Sequence, residues 1–558
     1  MGKWILTGLL FGFLLQLPQQ LVAQRQYDIY WVGFKDKVGT PYSVFHPQEY
    51  LSARALERRS KQNIRIDSFD LPINPAYLEP ILIKGFKIHL TSKWLNGVAV
   101  IVDGDASVSP MDLLAIDFIK EVFPIGFSRA VLPTPATIGV RDYKKNYKKH
   151  KNYYGFGANQ IEMLEGQYLH KMGYRGEGIH VAIFDGGFDG MPETPAFDSL
   201  RAHNRIIETR DFVEGDDYVY ESSTHGRNVL STMASEMPFA LVGTAPRASY
   251  YLFKTEDHPL GEYIVEEYNW VAAAEYADEI GVDVINSSLG YHHFDDKNMD
   301  YGYINLDGKT SAMTRGAAKA ADKGLLIVSA AGNEGNDKWK HITVPNDATN
   351  ILTVGAVDRD GYHARFSSYG FGEKPAVKPD VMARGAIAVV ASKGKYNTSF
   401  SNGTSFASPI MAGMVTSFWQ AFPELTNKEI IALLQNHATY SNKPDTVMGY
   451  GVPNFLEAHL ALRNSVIIVE EGTDFYTRTE DLSERFDLFI ANIKTSEVRY
   501  TLYNTLGKVV HKGDDWLDTY DARELWHLNI PSWQELPNMV YLLEIELEGK
   551  IIRVLLAK

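Results

Sequence analysis

The chain contains no cysteine in 558 residues. That excludes disulfide cross-links, thiolate chemistry and Cys-ligated zinc together, so an exported form of this chain rests on packing for its stability. Positive charge is also in short supply: 55 Lys and Arg stand against 69 Asp and Glu, a formal net charge of −14. Binding to phosphate backbones needs a basic surface, which argues against nucleic acid as the main partner. Long apolar runs are scarce as well. The stretch Trp4–Leu17, interrupted by Gly8 and Gly12, is short for a membrane span; it follows the basic start Met1-Gly2-Lys3 and precedes Leu21-Val22-Ala23. Residues 1–23 therefore read as an export signal peptide of the Sec type, with the cut after Ala23. What remains is 45% hydrophobic and 22% charged in total, the composition of a soluble chain long enough for several domains.

Hydropathy patterning divides the rest into four parts. Residues 24–128 read as a small α+β unit of order β-α-β-β-α-β. Its strands are expected at Tyr27–Val32, Lys87–Leu90 and Val98–Val102, with one helix at Pro47–Lys61 and a second framed by Met111, Leu114, Ala115, Phe118 and Ile119 at helical spacing. Residues 129–154 bear prolines and then the basic run Arg141–Lys151 without apolar periodicity; they read as a linker with a processing site or as a solvated loop. Residues 155–463 show short continuous apolar runs, Ile179–Phe184, Tyr250–Phe253, Val282–Asn286, Leu325–Ser329 and Ile351–Val354, most followed by a helical pattern. Continuous hydrophobicity marks strands buried on both faces, so the expectation is a mainly parallel sheet with helices packed on it and functional groups at the carboxyl ends of its strands. Residues 464–558 turn strand-rich and predict a small β-sandwich.

Polar residues occur where such a sheet would place chemistry. Asp185 follows the first of these strands and precedes Gly186-Gly187. His225 lies in Ser223-Thr224-His225-Gly226, opening a helical run. Asn333 lies in the strand-end turn Ala330-Ala331-Gly332-Asn333-Glu334-Gly335, and Ser405 follows Ser401-Asn402-Gly403-Thr404 ahead of Phe406-Ala407-Ser408-Pro409. Singly, each has an ordinary reading as a turn residue, a structural histidine or a helix cap. Together, an Asp, a His, an Asn and a Ser at a helix start supply an orienting acid, a base, an oxyanion donor and a nucleophile.

With its flanking residues and in this order, the region from Gly155 to Arg463 resembles the subtilisin-like serine proteases, the subtilase family. Asn286-Ser287-Ser288-Leu289-Gly290, Val354-Gly355-Ala356-Val357 with Phe366-Ser367-Ser368, and Gly449–Asn454 add to the likeness. The resemblance implies a three-layer α/β domain in which Ser405 is the nucleophile, His225 the general base, Asp185 its orienting partner and Asn333 an oxyanion-hole donor. It further implies that an extended peptide lies beside Ser288, Leu289 and Gly290 and near Gly261, with Ala330, Ala331, Gly332 and Thr343 shaping the pocket for the residue before the cut. Two positions depart from the family pattern, Arg227 two after the histidine and Gly186 after the aspartate. Ser235–Ala240 lacks the Asn-rich ligands of the calcium loop found in many members. No cofactor is implied; acidic loops such as Glu214–Asp217 and Asp295-Asp296 suit a hard cation such as calcium chemically, but no metal site is assigned.

The resemblance makes residues 24–128 a pro-segment. Tyr503–Val510 and Glu548–Lys558 look like the C-terminal sorting domains of type IX secretion substrates of the Bacteroidota. The expected partners are protein or peptide substrates, the chain's own pro-segment and the type IX secretion machinery. The expected location is outside the cell or on its surface. A rival reading is a non-catalytic surface binding protein on a subtilase scaffold. All four residues of the constellation weigh against it, since a binding scaffold needs none of them.

Overall fold

The computed structural model describes residues 28–127 except 103–107, residues 151–462 except 257–260, 372–375 and 394–396, and a set of strands between 466 and 557. The expected signal peptide and the basic stretch 128–150 lie outside the described residues. Among the described residues, no helix is long and apolar enough to cross a membrane.

The N-terminal unit is a four-stranded antiparallel sheet in the order Lys87–Ser92, Gly97–Ile101, Ile29–Phe34, Ile119–Gly126. Alternation divides each strand between two faces. Val32, Phe34, Val98, Val100 and Val122 enclose one core with Ile81 of the short helix Glu79–Ile83. On the other face, Ile29, Trp31, Ala99 and Ile125 pack against Val265, Tyr268 and Ala272 of the next domain.

The second helix expected in this unit is absent. Pro110–Ala115 is a 3-10 turn capped by Ser109 and Asp112, and Ile119 begins a strand. The helical spacing misled because Met111 and Leu114, which set it, are exposed rather than members of a buried face. Pro124 is tolerated because this strand lies at the sheet edge.

The central domain carries a seven-stranded parallel sheet. Its order is Val381–Arg384, Leu352–Val357, Leu326–Ala330, Val284–Ser287, His180–Asp185, Ser249–Lys254, Ile206–Asp211. The five expected strands are present; the two that close the edges are short or polar and left no apolar run to read. Helices His225–Ala234 and Thr404–Ala421 pack on one face, Val265–Ile280 and Ala312–Asp322 on the other. The result is the expected three-layer α/β domain.

Beyond it, the described C-terminal residues form two antiparallel sheets, one of five strands and one of three.

Candidate active site

Asp185 is the last residue of its strand and is fully buried. Its carboxylate accepts the Gly186 N–H at 2.9 Å and faces His225 Nδ1 at 2.9 and 3.0 Å through its two oxygens. His225 begins the helix His225–Ala234. The following residue must be small for this approach to exist: a Cβ on Gly226 would lie 2.5 Å from the Gly187 carbonyl oxygen and 3.0 Å from Asp185 Cβ.

The imidazole is about one-third exposed, at 34%. Burial opposes its cation, but the charge and hydrogen bond of Asp185, with a smaller contribution from Glu256, outweigh that and raise its pKa from 6.5 to about 9. The ring lies 5.7 Å from that of Phe406, which brings it against the start of the helix Thr404–Ala421.

That helix is entered through Gly403 at φ +151°, a conformation that a side chain rarely adopts. Ser405 is its second residue, so its N–H falls in the first turn, where no carbonyl four residues earlier in the helix is available to accept it. The Ser405 hydroxyl donates to the Ser288 carbonyl at 3.4 Å, and among the described residues no hydrogen bond joins it to His225. Such bonds are commonly loose before substrate arrives, and a turn about χ1 redirects the oxygen.

Pro409 has a direct local consequence. It sits inside the helix without an N–H, so the Ser405 carbonyl loses its ordinary donor four residues on. The Ser288 hydroxyl takes that role at 2.9 Å; Asn286 Nδ2 donates to Ser288 Oγ at 3.1 Å, and Ser408 Oγ donates to Asn286 Oδ1 at 2.8 Å.

The Asn333 side chain is oriented by a backbone donor. Its Oδ1 accepts the Thr404 N–H at 2.9 Å and the Thr404 hydroxyl at 3.1 Å. This leaves Nδ2 as the outward donor beside the first turn of the Ser405 helix.

The domain that carries these side chains is similar to known proteins. The family model "Peptidase_S8: Subtilase family" matches residues 176–451. Residues 176–451 form a subtilase domain. "Peptidase S8 propeptide domain, Bacteroidota" matches residues 29–134. Subtilisin NAT of Bacillus subtilis subsp. natto is 30% identical over 285 residues, covering 50% of this chain and 65% of its own length. Subtilisin DY of Bacillus licheniformis is 28% identical over 282 residues, covering 50% of this chain and 90% of its own. This chain thus spans just under two thirds of several of the curated relatives it matches. The solved structure of MycP3 protease from the type VII (ESX-3) secretion system has a TM-score of 0.42 and 21% identity, over 54% of this chain and 87% of that one.

Within the subtilase domain, Ser288 and Leu289 are buried just past their strand, while Gly290 is exposed. A Cβ on Gly290 would meet Thr343 Oγ1 at 2.3 Å, so these two expected pocket residues are in contact. The Thr343 hydroxyl is buried without a hydrogen-bond partner among the described residues. On the opposite wall, Ala330 ends a strand, and Ala331 donates its N–H to Val354 O at 3.0 Å. Gly332, at φ +109°, leaves room that a Cβ would lose to Glu334 Oε2 at 2.3 Å and Ser368 Oγ at 2.7 Å. Glu334 is therefore a wall residue that the sequence reading passed over. Burial pushes its carboxyl up, although the Ser368 hydroxyl donates to it at 2.7 Å.

Gly261 lies against Asp295, where a Cβ would meet Asp295 Oδ2 and the Tyr263 ring. Arg227 donates to the Asp189 carbonyl at 3.1 Å and to Asn228 Oδ1 at 3.2 Å, so its departure from the family pattern leaves the pair undisturbed. Among the described residues, no group of three or more His, Asp or Glu side chains is disposed to hold a metal ion.

The sequence reading also passed over Glu256, which is buried, accepts the Tyr291 hydroxyl at 3.3 Å and acts on His225 through its charge. Nothing in the Thr255-Glu256 dipeptide signals this; it follows from the strand Ser249–Lys254 lying next to His180–Asp185 in the sheet.

Proposed function

We propose that this chain is the zymogen of a secreted serine endopeptidase, cleaving peptide bonds through Ser405, His225 and Asp185. The observation that carries the reading is the buried Asp185 carboxylate at 2.9 Å from His225 Nδ1, with Nε2 left for chemistry and Ser405 at the adjacent helix start. In this mechanism His225 Nε2 takes the Ser405 proton while Oγ attacks the peptide carbonyl carbon. The carbonyl oxygen becomes an oxyanion between the Ser405 N–H and Asn333 Nδ2, helped by the positive end of the helix dipole. His225 then protonates the leaving amine as the C–N bond breaks, and a water molecule, deprotonated by the same ring, releases the acyl group.

The substrate is an extended or unfolded segment laid along Ser288–Gly290 as an added strand. The contact between Gly290 and Thr343, and the placement of Glu334 behind Gly332, support a polar component in the pocket for the residue before the cut. Supported by the propeptide match, residues 24–128 act as the pro-segment, with processing between Arg129 and Gly155. Export through the signal peptide at residues 1–23, and sorting of residues 464–558 by type IX secretion, complete the proposal.

Fluorophosphonate labelling of the processed protein tests the reading. Ser405 is labelled and the Ser405→Ala control is not. A folded, processed wild-type protein that resists the probe would leave the scaffold-only alternative standing.

A further inference from the structure

Glu256 has a place in the cleft as well as an effect on His225. It lies two residues past the strand Ser249–Lys254 and is 7% exposed. Its Oε2 accepts the Tyr291 hydroxyl at 3.3 Å, and Tyr291 directly follows Gly290, the last of the three residues expected to line an extended peptide. Its Oε1 takes the room that Gly186 leaves: a Cβ on Gly186 would lie 2.9 Å from that oxygen and 3.2 Å from Glu256 Cγ. The missing side chain after Asp185, one of the two departures from the family pattern, is therefore matched by the carboxylate of Glu256.

Strand order decides which part of a substrate meets this carboxylate. Neighbouring strands of the parallel sheet run Leu326–Ala330, Val284–Ser287, His180–Asp185 and Ser249–Lys254, and all end on the same edge. At or past their ends come, in the same order, the pocket wall of Ala330, Ala331 and Gly332, the peptide track of residues 288–290, Asp185 with Gly186, and Glu256. The pocket wall and Glu256 thus flank the track from opposite sides. An extended peptide points successive side chains to opposite faces. When the residue that supplies the scissile carbonyl faces the pocket wall, the residue before it faces His225 and Glu256.

The charge on that side is negative. Burial first, and then the charges of Glu266, Glu256, Glu262 and Glu267, hold the Tyr291 hydroxyl well above its ordinary value. The charge of Glu256 also reaches His225, where with Asp185 it favours the cation against the cost of burial. A guanidinium or ammonium group brought here forms a charge-assisted hydrogen bond, whereas a carboxylate is repelled.

The chain itself carries a segment of matching chemistry. The described part of the N-terminal unit ends at Phe127, whose ring lies edge-on to Tyr263 at 4.9 Å. Tyr263 adjoins Glu262, one of the carboxylates acting on Tyr291. Arg129, two residues after Phe127, is the first basic residue beyond that point and opens the linker expected to be cut.

We propose that Glu256 is a specificity residue: it makes the site prefer peptides with Arg or Lys immediately before the residue whose carbonyl is attacked. The proposal rests on the endopeptidase reading of this cleft.

The test uses the processed wild-type protein and quenched-fluorescent peptides that differ only at this position, which is Arg, Lys, Leu or Glu. Each set is made with Leu, Phe or Met as the next residue, and mass spectrometry verifies the bond cut. Values of kcat/KM are expected to be roughly tenfold or more higher with Arg or Lys than with Leu, and lowest with Glu. In Glu256→Gln the Arg-to-Leu ratio is expected to fall to within about threefold, while Glu256→Asp keeps most of it. A ratio between two substrates of one enzyme cancels any change in the charge state of His225, so a purely structural or electrostatic role for Glu256 would leave it unmoved. A ratio near one in the wild type, or an equal ratio in Glu256→Gln, overturns the proposal. If Glu256→Gln does not fold, Glu256→Leu removes the charge and is read in the same way. A folded, processed protein that cleaves none of the peptides and resists a fluorophosphonate probe ends the endopeptidase reading and this proposal with it. One that is labelled and cleaves all the peptides alike overturns this proposal alone.

Discussion

The two ends of the parallel sheet treat polar groups in opposite ways. At the amino ends of the strands, Asp278, Arg58, Arg59, Asp70 and Lys323 are buried and tied to one another or to helix carbonyls. At the carboxyl ends, the His225 ring is partly open, the Ser405 N–H has no helical acceptor and Asn333 keeps its Nδ2 outward. A docking surface works by closing every valence, whereas a site that handles a transition state must hold some in reserve. The same helix-end physics serves both: carbonyl termini receive arginines at one end, and in the proposed mechanism an N–H terminus receives the oxyanion at the other.

The largest change to this contrast is to open the closed end. Asp278→Ala leaves the buried Arg58 guanidinium without a carboxylate and Arg59 with Asp70 alone, and breaking such a pair from one side costs about 3–5 kcal/mol. In the uncut Ser405→Ala chain, a clearly lower midpoint of thermal or denaturant unfolding is expected. An unchanged midpoint would mean that water already serves these arginines.

Next, the reserve at the open end can be removed while its scaffold stays. Asn333→Asp retains an oxygen for the Thr404 N–H but deletes the Nδ2 donor, so the loss should fall on kcat with the unfolding midpoint preserved. For an oxyanion-hole Asn in subtilisin itself the known cost is about 10²–10³ in kcat, and that borrowed figure is the size expected here. A variant that loses stability while keeping its turnover would assign Asn333 to structure.

The third test concerns charge. The Asp185–His225 pair is buried at one edge and wet at the other, and His225 must be neutral to accept the Ser405 proton. With its pKa raised to about 9, kcat/KM should climb with pH across the neutral range and level off only in the alkaline range. The sign for stability is the reverse. A histidine whose folded pKa lies above 6.5 contributes stability that is fully present below 6.5 and is lost as pH rises through about 9. Glu256→Gln should move the kinetic midpoint toward lower pH. A profile already flat at pH 7 would remove the argument for a strongly held imidazolium.

How much of this could be read from sequence depends on the distance between partners. Short contiguous signals survive in one dimension: His225-Gly226 marks a place where the backbone must approach Asp185 closely, and Gly403 ahead of Ser405 marks a backbone conformation that favours glycine. Runs buried on both faces, such as Ile179–Phe184, announced the parallel sheet. Partnerships across the sheet leave no such trace. Glu256 acts on His225 from just past the end of a neighbouring strand, and Arg58 and Arg59 look like an exposed charged helix until Asp278, 219 or 220 positions away, is brought to them. Met111–Ile119 shows the converse failure, in which regular spacing of apolar residues fell on an exposed turn and an edge strand.

The smallest effect is the most diagnostic of how Ser405 is seated. Ser288 Oγ donates to the Ser405 carbonyl because Pro409 has no N–H to offer it. Ser288→Ala should cost about 1 kcal/mol, the net worth of one such bond, and lower kcat slightly as the first turn of the helix loosens. Pro409→Ala supplies the missing backbone donor. In that background the Ser405 carbonyl has a second partner, so Ser288→Ala should cost less than it does alone, giving a double-mutant coupling of a few tenths to about 1 kcal/mol. Strict additivity of the two changes would mean that the hydroxyl and the helix donor do not serve the same oxygen, and that the Asn286–Ser288–Ser408 network holds the Ser405 turn by packing alone.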